Sequence, residues 1–123
     1  MIALDTSAFA RYLAGIEDRA TVAVHSAMQM KSAAFPPVVV SELLSSPTLT
    51  DEMRRDILEL RHLEIREGYW ERAGDLRARL LRDRFKAHLA DCLIAQSCID
   101  NDAPLITYDR DFRHFESAGL RVI

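Results

Sequence analysis

Asp5 follows the short apolar run Ile2-Ala3-Leu4, and Asp109 lies three residues beyond a second such run, Pro104-Leu105-Ile106. If both runs are parallel strands, these carboxylates leave the same edge of one sheet. Two further acids sit inside apolar segments: Glu42 in Val38-Val39-Val40-Ser41-Glu42-Leu43-Leu44, and Asp91 in Leu89-Ala90-Asp91-Cys92-Leu93-Ile94. A buried carboxylate is strongly unfavourable unless it is paired, protonated or bound to a cation. Taken singly, Asp5 or Asp91 reads as a helix cap, Glu42 as a rim acid and Asp109 as an Asx-turn residue. Those uses leave the acids in apolar segments unexplained, whereas four acids converging on one point demand a cation. Oxygen donors without histidine or cysteine suit Mg²⁺ or Mn²⁺. Four carboxylates match the charge of two divalent ions about 3.5–4 Å apart, one activating water and the other stabilising a leaving oxygen. The reaction this chemistry predicts is hydrolysis of a phosphodiester.

Such acids converge only on a scaffold that returns repeatedly to one edge. Asp5-Thr6-Ser7 favours a helix start, so the first strand runs into a helix carrying Phe9, Tyr12 and Leu13, which Gly15 ends. Glu17 to Lys31 holds Ala20, Val24, Ala27 and Met28 at helical spacing. Ala33-Ala34-Phe35 reads as a second strand, and Pro36-Pro37 leads into a short helix, Val38 to Ser46, bearing Glu42. Thr48 and Asp51 resemble a capping box for a helix with Met53, Ile57 and Leu60. Leu63-Glu64-Ile65 reads as a third strand, and Tyr69, Ala73, Leu76 and Leu80 mark an amphipathic helix from Tyr69 to Arg84.

From His88 to Asp100 apolar residues cover most of the helix circumference, which predicts burial on several sides. Pro104-Leu105-Ile106 is the fourth strand, Asp109 to Phe115 a loop with a helical turn, and Leu120-Arg121-Val122 the last strand. Short apolar strands separated by helices make an α/β fold with a mostly parallel sheet. Ligands of such sheets bind beyond the carboxyl ends of the strands, where strand order reverses.

The 123 residues fit one domain on the usual scale of roughly 100–200 residues. With 49% hydrophobic and 28% charged residues, disorder and collagen-like structure are excluded. No apolar window approaches the ~18 residues of a membrane span, and Asp5 arrives too early for a signal peptide, so the expected location is the cytoplasm. Cys92 and Cys98, six residues apart on one helix, point away from each other and read as core thiols. A net charge of -3 argues against capture of nucleic acid by overall positive field.

Four segments now carry a resemblance, in this order: Ile2-Ala3-Leu4-Asp5-Thr6-Ser7, Ser41-Glu42-Leu43-Leu44, Ala90-Asp91-Cys92-Leu93-Ile94-Ala95, and Pro104-Leu105-Ile106-Thr107-Tyr108-Asp109-Arg110-Asp111-Phe112. They resemble the PIN-domain nucleases, and the length looks like the VapC toxins of bacterial VapBC toxin–antitoxin pairs. The likeness runs end to end, which implies a single PIN domain over residues 1–123, with a five-stranded parallel sheet of order 3-2-1-4-5 flanked by helices in three layers. It further implies a Mg²⁺- or Mn²⁺-dependent endoribonuclease acting on RNA, tRNA among the candidates, a homodimer, and a cognate VapB-type antitoxin whose tail wraps the toxin. Carried over by residue, the catalytic and metal-binding acids fall on Asp5 and Asp91, then Glu42, with Asp109 as the fourth and Asp111 as its substitute. Thr107, and Thr6 or Ser7, resemble hydroxyls that orient a carboxylate or a metal-bound water. Capping and turn hydroxyls are their ordinary reading.

Between Arg72 and Lys86 stand six bases, Arg72, Arg77, Arg79, Arg82, Arg84 and Lys86, against the two acids Asp75 and Asp83. This block suits RNA phosphates, and equally a solvated helix face. His25, His62, His88 and His114 show no metal-ligand or acid–base spacing; only His88, one helical turn before Asp91, could brush substrate. A receiver-like signalling domain would want paired acids after the first strand and a late lysine, but only Lys31 and Lys86 occur. A dehalogenase-type phosphatase needs Asp-x-Asp at the first strand, and Asp109-Arg110-Asp111 lies at the other end. A PIN fold acting as a non-catalytic RNA- or protein-binding module is the remaining alternative.

Overall fold

The strands are two or three residues long because polar or helix-starting residues interrupt each apolar run. The computed structural model describes residues 1–123. Strand β1 (Ile2–Leu4) is central, paired in parallel with β2 (Ala33–Ala34) on one side and β3 (Leu105–Ile106) on the other. Ala3 stands opposite both Ala34 and Leu105, and Leu4 opposite Ile106. Beyond β2, Phe35 bridges His62 in parallel; beyond β3, Leu105 bridges Val122. The lateral order 3-2-1-4-5 is thereby kept, but the third and fifth expected strands contract to single bridges. Leu63 is buried while Glu64, Ile65 and Arg66 are exposed, and Leu120 is buried while Arg121 is not, so neither segment has a longer face to bury. Short edges are also poor templates for pairing with other chains.

Helix α1 (Thr6–Leu13) starts directly after β1, and Gly15, at φ 76°, takes the left-handed turn that ends it. Helix α2 (Arg19–Gln29) is held by a reciprocal cap in which Asp18 accepts from the Thr21 N–H and the Thr21 hydroxyl accepts from the Asp18 N–H. Helix α3 (Pro37–Leu44) carries proline at its first position, where no donor is lost. The cap of α4 (Asp51–Glu59) is Thr50, which accepts from the Met53 N–H at 3.1 Å. The spacing of Thr48 and Asp51 therefore misplaces the helix start by two residues. From Thr50, Asp51 and Glu52 fall in the first turn, where the helix dipole favours them.

Helices α5 (Tyr69–Arg82) and α6 (Leu89–Asp100) pack antiparallel. The Tyr69 hydroxyl donates to the Leu93 carbonyl, Arg72 reaches Asp100, and Arg77 Nε donates to the Ala87 carbonyl. As its composition predicts, α6 is buried on several sides and packs against α3 and α5. Both cysteines on it are buried and free. After β3, the expected loop with one helical turn is a 3₁₀ helix, Arg110–Ala118. Its three-residue period puts Phe112 and Phe115 on one buried face, and that spacing of three was legible in the sequence.

The core is one cluster of 26 residues, in which the Phe9 and Phe35 rings meet edge to face at 4.9 Å. No helix is long and apolar enough to cross a membrane. Phe9→Ala should lower the unfolding free energy by about 3–5 kcal/mol in denaturant titrations followed by circular dichroism. Ile65→Ala, at the exposed end of the contracted strand, should change it by less than about 0.5 kcal/mol. A large loss at Ile65 would contradict the contraction.

Candidate active site

β1 delivers Asp5 to the carboxyl edge of the sheet, where its N–H donates to the Ile106 carbonyl and the residue is only 5% exposed. Asp5 occupies the N-cap position of α1, yet its side chain makes no cap bond. Its Oδ2 instead accepts from the Ser7 hydroxyl at 2.9 Å and the Thr107 hydroxyl at 2.7 Å. Each hydroxyl is itself oriented from behind: Ser7 Oγ accepts from the Tyr108 N–H at 3.1 Å, and Thr107 Oγ1 from the Asp109 N–H at 3.0 Å. Both hydroxyl protons are thus directed at one carboxylate oxygen of Asp5.

Glu42 lies exposed on α3, where its Oε1 accepts from the Thr6 hydroxyl at 2.7 Å. Asp91 is half-buried in the first turn of α6. Asp109 precedes the 3₁₀ helix and accepts from the Asp111 N–H at 2.9 Å, the Asx-turn use its position suggests. Burial pushes the Asp91 carboxyl up to about 6, and the charges of Asp109, Asp5 and Glu42 add to this while His88 opposes it. Acids from three other segments therefore bear on one carboxyl. Asp111, half-buried, stands just past Asp109 at the start of the 3₁₀ helix.

No three of the chain's acids, histidines and cysteines close around a single point as a finished metal cage. The donor set is nevertheless all oxygen, and it crowds negative charge onto a half-buried acid. That chemistry fits a hard divalent cation which keeps part of its water shell, as Mg²⁺ does, rather than a metal seeking sulfur or imidazole.

Three residues that the sequence did not single out brace this edge. The Tyr108 hydroxyl donates to Asp18 Oδ1, while the Arg11 guanidinium sits 4.3 Å above the Tyr108 ring and 3.5 Å from Asp18 Oδ2. The bond from Tyr108, then that from the Thr21 N–H, and Arg11 with them, draw the Asp18 carboxyl down to about 2. This clasp ties the loop carrying Thr107 and Asp109 to the cap of α2, and so fixes the Tyr108 N–H on Ser7. The Asp18–Thr21 spacing betrays the cap, but nothing local betrays a partner 90 residues away.

The basic block divides. Arg72 grips Asp100 through Nε at 3.1 Å and Nη2 at 2.6 Å, and also donates to the Glu67 carbonyl. Asp100 ends α6, about 13 Å from Asp91 at 1.5 Å per residue, so Arg72 is drawn to the end remote from the acids. Arg77 holds the Ala87 carbonyl beside the start of α6. Arg79, Arg82, Arg84 and Lys86 are exposed and make no ion pair.

Comparison with known proteins adds five findings. The PIN domain family model matches residues 2–117. The fold is similar to VapBC2 from Rickettsia felis, solved bound to a DNA fragment from their promoter, at TM-score 0.75 and 20% identity over 100% of this chain and 98% of that one. It is similar to FitAcB from Neisseria gonorrhoeae, at TM-score 0.72 and 17% identity over 100% and 96%, and to VapBC-5 from Mycobacterium tuberculosis, at 0.61 and 22% over 99% and 96%. No curated protein matches in sequence.

The crowding at Asp91 has a measurable consequence. A carboxyl at about 6 in the folded chain binds a proton more readily than in the unfolded chain, so its contribution to stability grows as pH falls from about 7 towards 4. In chelator, Asp91→Asn should melt higher than the parent at pH about 7.5, and the gap should close as the pH is lowered through 6. A gap independent of pH would contradict the crowding.

Proposed function

Because the chain belongs to the PIN-domain family, we propose that its acid-lined edge is the active centre of a Mg²⁺- or Mn²⁺-dependent endoribonuclease, the toxin of a toxin–antitoxin pair. The observation that carries this reading is the pressure of Asp109, Asp5 and Glu42 on the half-buried Asp91 carboxyl. In this proposal Asp5, Asp91 and Glu42 hold the cation, with Asp109 as fourth acid and Asp111 as its substitute. A bound divalent ion would supply charge neutralisation and Lewis acidity toward the phosphodiester.

The chain's own side chains then have separate tasks. Ser7 and Thr107 fix Asp5 by donating to Oδ2, and Thr6 does the same for Glu42. Arg77, Arg79, Arg82, Arg84 and Lys86 stand toward the Asp91 end of α6 or on the exposed face of α5, and offset the substrate's phosphates. Arg72 is engaged with Asp100 and takes no part. The substrate class is RNA, with tRNA as one candidate shape. The proposal extends to residues 1–123 as one domain in the cytoplasm, a homodimer, and a VapB-type antitoxin. The VapBC pairs among the structural neighbours support the last of these.

A non-catalytic binding module remains the second reading, favoured by the absence of a closed cage. Cleavage assays on cellular RNA separate the two. Purified protein should cut RNA with Mn²⁺ or Mg²⁺ and stop in EDTA, and Asp5→Asn should remove cleavage while leaving the circular dichroism spectrum unchanged. Thr107→Val, which loses one orienting hydroxyl, should reduce the rate roughly 10–100-fold. Equal cleavage by Asp5→Asn would sink the assignment.

A further inference from the structure

Phe85 lies between α5 and α6 with 41% of its surface exposed, and Arg84 and Lys86 flank it. The exposed ring is held in place: it stacks on His114, with centroids 4.8 Å apart and planes 28° from parallel. The backbone beneath it is fixed too. The Phe85 N–H donates to the Leu80 carbonyl and the Arg84 N–H to that of Leu81, closing the end of α5 with Arg84 at φ 64°. That left-handed position ordinarily takes glycine, so an arginine there carries strain that glycine would not.

The position of this ledge relative to the acids follows from two elements. His114 comes three residues after Asp111 in a 3₁₀ helix, so the two share a face and lie about 6 Å apart along the axis. On the other side, the chain runs from Phe85 through Lys86 to His88, whose charge bears on Asp91. An exposed aromatic ring flanked by two unpaired cations thus stacks on the 3₁₀ helix that packs against α6, the helix carrying Asp91, in the only strongly basic stretch of a chain with net charge -3.

We propose that the Phe85–His114 stack is a platform for one unpaired base of a single-stranded RNA next to the bond to be cut, with Arg84 and Lys86 holding the adjoining phosphates. This inference rests on the ribonuclease reading and adds to it the side chains that hold one base. Any base offers a π face, so the platform selects unpaired nucleotides rather than a particular base, and a duplex cannot use it. Arg84 and Lys86 contribute a salt-dependent share that is independent of sequence.

The probe is a fluorescein-labelled single-stranded oligoribonucleotide of mixed sequence, with a duplex and an abasic version as controls. Binding is read by anisotropy and cleavage by KM and kcat. Phe85→Ala should weaken binding and raise KM roughly 5–100-fold, the stacking range, with a smaller change in kcat. Phe85→Trp should restore binding. Phe85→Leu keeps an apolar side chain on His114 without a π face and should behave as Phe85→Ala, which separates stacking from folding. Arg84→Gln and Lys86→Gln should each reduce the salt slope by about 0.7.

If the parent cleaves RNA but Phe85→Leu binds it equally well, the platform is overturned and the ribonuclease reading stands. If the parent neither binds nor cleaves RNA, both fall. A change in oligomeric mass on Phe85→Leu with KM unaltered would make the ledge a protein interface and overturn the platform.

Discussion

The structure turns on a carboxylate gripped by hydroxyl donors in a nearly buried place. Asp5 sits at the end of the central strand, and its Oδ2 accepts from two hydroxyls drawn from opposite ends of the chain, Ser7 and Thr107. The Thr107 donation, and the Tyr108 N–H that orients Ser7, require β1 and β3 to be neighbours in the register that sets Leu4 beside Ile106. A slip of one residue would turn every side chain of these short strands to the other face and break both of these long-range bonds. The buried sheet centre and the polar edge are therefore one constraint: the packing of Ala3, Leu4, Leu105 and Ile106 positions the hydroxyls.

Around this fixed carboxylate the fold places acids that an ordinary surface would keep apart. Helix α6 is buried along most of its length, so Asp91 in its first turn cannot turn fully to solvent, and it feels Asp109, Asp5 and Glu42 together. The clasp of Tyr108, Asp18 and Arg11 holds the opposite wall by tying the Thr107–Asp109 loop to the cap of α2. The tension is electrostatic. Helix α5 serves both ends of α6, anchoring the far end through Arg72 and Asp100 and bringing bases and Phe85 to the near end.

Much of this was legible in the sequence. The acids could be found because each follows or interrupts an apolar run, where a carboxylate needs a reason to be. The parallel sheet could be read because short strands alternate with helices, while its order followed only from the family resemblance. What escaped depended on partners distant in sequence. Arg72 belongs to a run of bases, but only the antiparallel packing of α5 on α6 shows that Asp100 claims it. Tyr108 stands inside the last of the four motifs, but nothing local shows that its hydroxyl reaches Asp18. The contraction of the outer strands also depends on neighbours, since Ile65 is apolar enough for a strand but has nothing to bury against. Thr50 displaces Thr48 as a cap because the following acids complete its first turn, a local signal that the sequence contained.

The central claim is that this edge binds divalent cations through Asp5 and its neighbouring acids. Calorimetric titration of the chelator-treated protein with Mn²⁺ tests it most directly. At pH about 7.5 the account predicts a saturable binding heat that is lost in Asp5→Asn and weakened below pH about 6, where Asp91 takes up a proton. No heat, or an equal heat from Asp5→Asn, would contradict it.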